Sequence, residues 1–324
     1  MSDHRLDLFV TRLRLIFWNV AEHRLRSLWR LLLFLVLVAL IANPLILLLD
    51  TSESRFLKAT LENVLVALGF GLALLISARM FDKRPIKDFG LRLTRLWWVE
   101  LGFGFLLGAA AMSVTFVWLY SVGWISIEGA FQTSFPTTLF VWGFIGQVLR
   151  YFSGSFFEEL FSRSYLLRMF AENGRGAGLS RRHAVLCAAA ATSLLFGLLH
   201  LFSPGATFIA FANLTLLGLL FAVPMLLTGR LGCSIGLHMG WNIFQNNVFG
   251  LPNGGKLSHA TVLVSQAHGP DAWTGGAFGP EGGLAVFVVL IVASVTSIGA
   301  LRRRAGKLSL ELSLADPPWE ESIH

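Results

Sequence analysis

The chain has 324 residues, 55% of them hydrophobic and only 14% charged, with a net charge of +7 and a mean hydropathy of +0.66. A soluble domain carries roughly a quarter charged residues, so this composition excludes an ordinary soluble protein. The basic excess punctuates long apolar runs and forms no stripe interleaved with exposed aromatics, which argues against a nucleic-acid partner.

Residues 1–30 set Arg5, Arg12, Arg14, Arg24, Arg26 and Arg30 among Leu13, Leu15, Phe17 and Trp18. That mixture predicts an amphipathic helix on the membrane surface. Its basic stretch is too long for the n-region of a cleavable signal peptide. Eight apolar runs follow, at about 31–49, 61–79, 97–121, 137–171, 183–202, 206–228, 232–250 and 284–301. A helix of about 20 apolar residues crosses a bilayer, and no run alternates with period two as a barrel strand would. The predicted fold is all-α: a polytopic bundle of about eight transmembrane helices with an N-terminal interfacial helix.

The third run opens with Trp97 and Trp98, suited to a membrane interface. The fourth is longer than a bilayer needs, so it either kinks at Ser153-Gly154-Ser155 or extends into the interface beyond Arg163. Residues 251–283 are Gly-rich and aperiodic, a lid or a long connector. Cys187 and Cys233 read as small buried hydrophobes.

Loop charges test the count. Eight spans place Lys83, Arg84, Lys87, Arg92, Arg95, Arg175, Arg181, Arg182, Arg230, Arg302, Arg303, Arg304 and Lys307 on one side, with both termini. By the positive-inside rule that side is cytoplasmic, and the brevity of the inner loops suggests a bacterial cytoplasmic membrane. The predicted organisation is an interfacial segment at 1–30, N-terminal spans at 31–135, a polar-bearing core at 136–250, the Gly-rich outer loop at 251–283, and a last span with its tail at 284–324.

Glu158, Glu159, Arg163, His200, His238 and Asn242 all lie in apolar surroundings. A charge at the centre of a span costs about 2.5–3.5 kcal/mol on insertion scales, so such residues face a partner or a cavity. Glu159 and Arg163 are i, i+4 and can pair on one helix face, leaving Glu158 to point elsewhere. Phe196 and His200 repeat that spacing, as do His238 and Asn242. Any one of these alone reads as a packing device. Three short polar faces on three helices predict a common pocket. Straight helices place His238 about 10 Å and His200 roughly 25 Å above their inner edges, so tilt or an extended fifth helix is needed to bring them together.

A carboxylate held among apolar groups suits a general base, a nearby imidazole orients its water, and an imidazole with a carboxamide can donate to an oxyanion. These are the parts for amide hydrolysis by an activated water. No serine or cysteine nucleophile with a paired base is evident.

Glu158-Glu159-Leu160-Phe161-Ser162-Arg163 matches EExxxR, Phe196-Gly197-Leu198-Leu199-His200 matches FxxxH, and His238-Met239-Gly240-Trp241-Asn242 matches HxxxN. In that order, on separate apolar helices, the motifs resemble the family of CAAX prenyl proteases and bacteriocin-processing enzymes, the CPBP or ABI family. The resemblance covers about 100 residues, from near Gln147 to near Asn247. It implies an eight-helix intramembrane endopeptidase of the glutamate type. Glu158 and His200 would activate water, and His238 with Asn242 would form the oxyanion hole. Glu159 and Arg163, with Phe196, would support them. It implies no cofactor, zinc on Glu158, His200 and His238 being the lesser alternative, since ligands on three separate helices have no certifying spacing. Ser162 and Ser164 depart from the family's usual aromatic and Gly around the Arg. The expected partners are a membrane-associated peptide or protein substrate and the bilayer. The competing readings are a non-catalytic scaffold of the same fold and, behind it, a transporter, which would favour halves of matching hydropathy that the chain lacks.

Overall fold

The structure, a computed structural model, describes residues 15–20, 22–287 and 309–318, and the single residues 289, 295 and 299. It is all-α with two small sheets. The helices are α1 (Ser27–Asp50), α2 (Arg55–Met80), α3 (Arg95–Ser121), α4 (Phe140–Glu159), α5 (Leu167–Gly176), α6 (Arg181–Leu199), α7 (Phe208–Thr228) and α8 (Gly232–Asn242), with a short turn of helix at Asp271–Thr274. Among the described residues, five stretches are long and apolar enough to cross a membrane: α1, α2, α3, Arg181–Phe202 and α7. The fourth and seventh apolar runs are helical too, but they carry the polar residues. Most of the eighth run lies outside the described residues. The chain is an integral membrane protein.

Of the two arrangements expected for the fourth run, a kink at Ser153-Gly154-Ser155 or an extension beyond Arg163, the chain takes the second and stays helical to Gly176. Helix α4 passes through Ser153-Gly154-Ser155 unbroken, because Gly154 lets Asn63 of α2 approach closely. The irregularity comes later, as a π-helical turn over Leu160–Leu166 that leads into α5. A second π turn, Ile243–Val248, follows α8. Such widened turns recur at functional sites.

The N-terminal expectation is corrected over the described part. Residues 1–14 lie outside it, and no single interfacial helix runs to residue 30. Strands β1 (Trp18–Asn19) and β2 (Arg24–Leu25) pair antiparallel just before α1. Arg24 and Arg30 turn inward, away from headgroups, because buried acids await them. Arg24 donates to Glu172 at 2.5 Å and to the carbonyl of Asp82 at 3.1 Å, and Arg30 pairs with Asp82. Arg84 pairs with Glu172 at 2.9 Å and donates to the carbonyl of Asp316, while Arg168 reaches the carbonyls of Asp88 and Ser313. Pairing is what makes burial of so many charges tolerable. It also brings the described N- and C-terminal segments together at one end of the bundle.

Two further expectations change. Trp97 is packed inside, donating to the carbonyl of Gly90 at 3.0 Å, while Trp98 remains exposed. Cys233 is buried, but Cys187 is exposed on α6 because it points off the bundle.

Helix α8 is set by glycine. Gly232, Gly236 and Gly240 recur every fourth residue and meet the backbone of α3 at Trp97, Leu101 and Phe105. Gly104 and Gly108 of α3 return the contact at Cys233 and Leu237. A Cβ at any of these five positions would fall inside the carbonyl oxygen opposite. Small residues at four-residue spacing are how membrane helices bring their backbones together. The opposite face of α8 is thereby aimed at α4 and α7.

At the far end from the termini, strands β3 (Ile125–Thr133) and β4 (Ala260–Ala267) pair antiparallel, with an irregularity between Ile127 and Gly129. The Gly-rich segment is thus an ordered element, β4 included, and not a plain connector.

Candidate active site

Glu158, His200, His238 and Asn242 line one cavity of about 230 Å³. A water occupies about 30 Å³, so there is room for several waters or a short length of peptide. The end of α4 brings Glu158, the last residue of the α6 run brings His200, and α8 brings His238 and Asn242. Phe221 of α7 stacks on the His238 ring at 4.7 Å between centroids. Phe196 touches both imidazoles, at 4.5 Å from His200 and 6.0 Å from His238. Both imidazoles therefore lie against one ring, so the depth difference expected of straight helices does not keep them apart.

The adjacent glutamates part company. Glu159 is fully buried, and Nδ1 of His238 donates to its Oε1 at 2.9 Å. Nη1 of Arg163 lies 3.4 Å from the same oxygen, so the expected i, i+4 pair is present. Arg163 is fully buried and its guanidinium lies 4.2 Å above the Phe196 ring. A weakly hydrated planar cation is suited to such a site. Glu158, with a side chain 33% exposed, turns to the cavity, its Oε2 3.9 Å from Nε2 of His238.

The hydrogen bonds fix which atoms face the cavity. Nδ1 of His200 lies 2.7 Å from the carbonyl of Phe196, which can only accept, so this nitrogen carries the hydrogen and Nε2 is left for the cavity. His238 likewise presents Nε2. Nδ2 of Asn253 donates to Oδ1 of Asn242 at 3.0 Å, which leaves the Asn242 amide nitrogen as the donor.

Glu158, His200 and His238 are the residues that would hold a zinc ion. Among the described residues, no three His, Cys, Asp or Glu side chains are grouped so as to hold an ion.

Several residues at the site escape the motif reading. The π turn after α8 buries three successive carboxamides, Gln245, Asn246 and Asn247. These stitch the following segment down: Gln245 to the carbonyl of Pro252, Asn246 to those of Leu251 and Lys256, Asn247 to that of Ala260. Tyr151 of α4 donates to Asn246 at 2.7 Å. Asn253, Gly254, Lys256 and Glu281 thereby join the cavity wall. The amide run was visible in the sequence; its inward direction follows from the π geometry and was not. Ser164, where the family usually has Gly, donates to the carbonyl of Phe89 and stays clear of the cavity.

Fold and site together define a class: a polytopic helical membrane protein with a carboxylate, two imidazoles and a carboxamide converging inside the bundle. Residues 137–244, a third of the chain, match the family of type II CAAX prenyl endopeptidases described as Rce1-like. The resemblance carried by the three motifs thus holds for the segment that contains them, and it indicates a protease of the CAAX intramembrane type in general terms. No curated protein and no solved structure matches the chain.

Proposed function

We propose that the chain is an intramembrane endopeptidase that hydrolyses a peptide bond of a membrane-associated peptide or protein by an activated water, without a covalent acyl-enzyme. The observation that carries this reading is the convergence of Glu158, His200, His238 and Asn242, from three separate helical segments, on one cavity.

In this reading Glu158 removes a proton from water while Nε2 of His200 accepts the water's other hydrogen and orients it. The oxygen attacks the scissile carbonyl. Its oxyanion receives hydrogen bonds from the Asn242 amide and from Nε2 of His238 in its doubly protonated form. Glu159 backs that ring through Nδ1. Glu158 then returns the proton to the leaving amine nitrogen, so that water is divided between the two products.

The test is cleavage of fluorogenic membrane-peptide substrates by the purified protein and by Glu158→Ala in detergent, each with and without chelator. Cleavage by the wild type that vanishes in the variant and ignores chelator is the expected result. Cleavage lost on chelation and restored by zinc would replace this mechanism with a metal-dependent one. Absence of wild-type cleavage in a folded protein, across prenylated and unprenylated substrates, would favour the scaffold reading.

A further inference from the structure

The matched segment ends at residue 244, yet the cavity has a wall beyond it. Glu281 is 3% exposed and lies in a short helical turn at Pro280–Gly282. Its main chain and its side chain are both held. Nδ2 of Asn213, on α7, donates to the carbonyls of Glu281 and Gly283 at 3.0 and 2.8 Å. The amide of Gly254 donates to Oε1 of Glu281 at 2.7 Å, and Nε2 of Gln245 donates to Oε2.

The surrounding glycines are there to let this happen. Gly254 and Gly279 have φ of +55° and +110°, and a Cβ on Gly279 would fall inside the carbonyl of Pro252. Gly255 donates to the carbonyl of Phe278 at 2.8 Å. Segment 252–256 is therefore clasped between the turn that carries Glu281 and the π turn that carries Gln245. Its residue Asn253, next to the amide that Glu281 grips, holds Oδ1 of Asn242.

We propose that Glu281 is a positioning residue of the cavity: by gripping the Gly254 amide it seats Asn253 against Asn242, and so aims the carboxamide that stabilises the oxyanion. This rests on the proteolytic reading for its consequence, though not for its geometry. Burial pushes the Glu281 carboxyl up to about 7, and the donated hydrogen bonds and the nearby His238 work against that rise. The charged and titratable groups sharing its cavity are Glu158, Arg150 and Tyr151 from α4, His200 from the end of α6, His238 from α8 and Lys256 from the roof. The clasp accepts two hydrogen bonds as a carboxylate, so it is weakened by protonation.

The experiment compares wild type, Glu281→Ala, Glu281→Gln, Asn253→Ala and the Glu281→Ala/Asn253→Ala double variant in detergent. Three readouts are taken: kcat and KM from pH 5.5 to 8.5, amide hydrogen exchange over residues 252–256, and melting temperature. The expected outcome is a kcat about 10- to 100-fold lower in Glu281→Ala and Asn253→Ala, with KM changed less than about threefold. The double variant is then no worse than either single, since both act through Asn242. Exchange over 252–256 accelerates in Glu281→Ala. Glu281→Gln keeps an oxygen for the Gly254 amide but, like the protonated acid, sets a donor against Gln245, so its kcat lies between those of wild type and Glu281→Ala at every pH and lacks the acid limb near pH 7.

Wild-type cleavage with kcat within about twofold in folded Glu281→Ala or in Asn253→Ala overturns the proposal and leaves the protease reading standing. Should Glu281→Ala not fold, Asn253→Ala and Glu281→Gln decide in its place: unchanged kcat in the first, or an unchanged pH profile in the second, overturns it. A wild type without proteolysis, but with exchange accelerated in Glu281→Ala, sinks the protease reading while the clasp itself is supported.

Discussion

Nδ1 of His238 donates to Oε1 of Glu159 at 2.9 Å, a buried hydrogen bond that ties the end of α4 to α8. The neighbouring Glu158 approaches the other nitrogen of the same ring but keeps a third of its side chain exposed. The two glutamates should therefore fail in opposite ways. Glu159→Ala leaves Arg163 buried without a counter-charge and His238 without an acceptor, a loss of about 3–5 kcal/mol. Glu158→Ala should leave the melting temperature nearly unchanged while abolishing cleavage. Thermal melting and a cleavage assay on both variants check this; equal losses of stability would show that the two share one structural role.

The glycine contact between α3 and α8 predicts a positional effect along the chain. Gly236→Ala puts a methyl inside the carbonyl of Leu101 and should cost about 1–3 kcal/mol as overpacking, with loss of activity as His238 and Asn242 shift. Gly102→Ala on α3, where an added Cβ meets nothing, should be neutral or stabilising by up to about 1 kcal/mol. Melting temperatures of the pair, with activity measured alongside, decide whether the zipper sets the site.

The position of Glu281 predicts a pH dependence of stability. Its carboxyl is raised from the usual 4.5 to about 7 on folding. The folded state thus holds this proton more tightly than the unfolded state does. The associated stability is fully present below about pH 4.5 and is lost as pH rises through about 7. Wild type should therefore show a falling melting temperature across that window, and Glu281→Gln a flatter one. Parallel curves for the two would show that Glu281 does not titrate there.

Phe196 walls both histidines and carries the Arg163 guanidinium on its face. Phe196→Leu keeps an apolar side chain but removes the π face, at a cost of about 2 kcal/mol for a desolvated cation. Cleavage should fall with it, because Arg163 steadies Glu159 and Glu159 steadies His238. Retained stability and activity in this variant would mean that any apolar group serves.

Much of the bundle was legible in the sequence because a lipid solvent makes hydropathy nearly sufficient. The six residues in wrong surroundings, Glu158 through Asn242, marked the cavity for the same reason. What escaped detection depends on partners distant along the chain. Ile125–Thr133 pairs with Ala260–Ala267 without a clean alternation in either segment. Arg24 and Arg30 looked like interfacial charges because Glu172 and Asp82, which bury them, are far away in the sequence. Glu281 sits among glycines and prolines with no period at all, and only the tertiary clasp takes it out of water. The glycines at 232, 236 and 240 were readable at four-residue spacing, but His238 and Asn242 on the same helix drew the reading to the other face.

The ion network at the termini also orders the events of synthesis. Arg24 leaves the ribosome long before Glu172 exists, and Ser313 and Asp316 follow later still. Until α5 has been laid down, Arg24 lacks the Glu172 carboxylate that pairs with it in the folded bundle. Once α5 arrives, Glu172 draws Arg24 and Arg84 together, and the segment holding Ser313 and Asp316 then settles over Arg84, Arg168 and Arg181. The ion network can thus close only after the helices that form the cavity have been made.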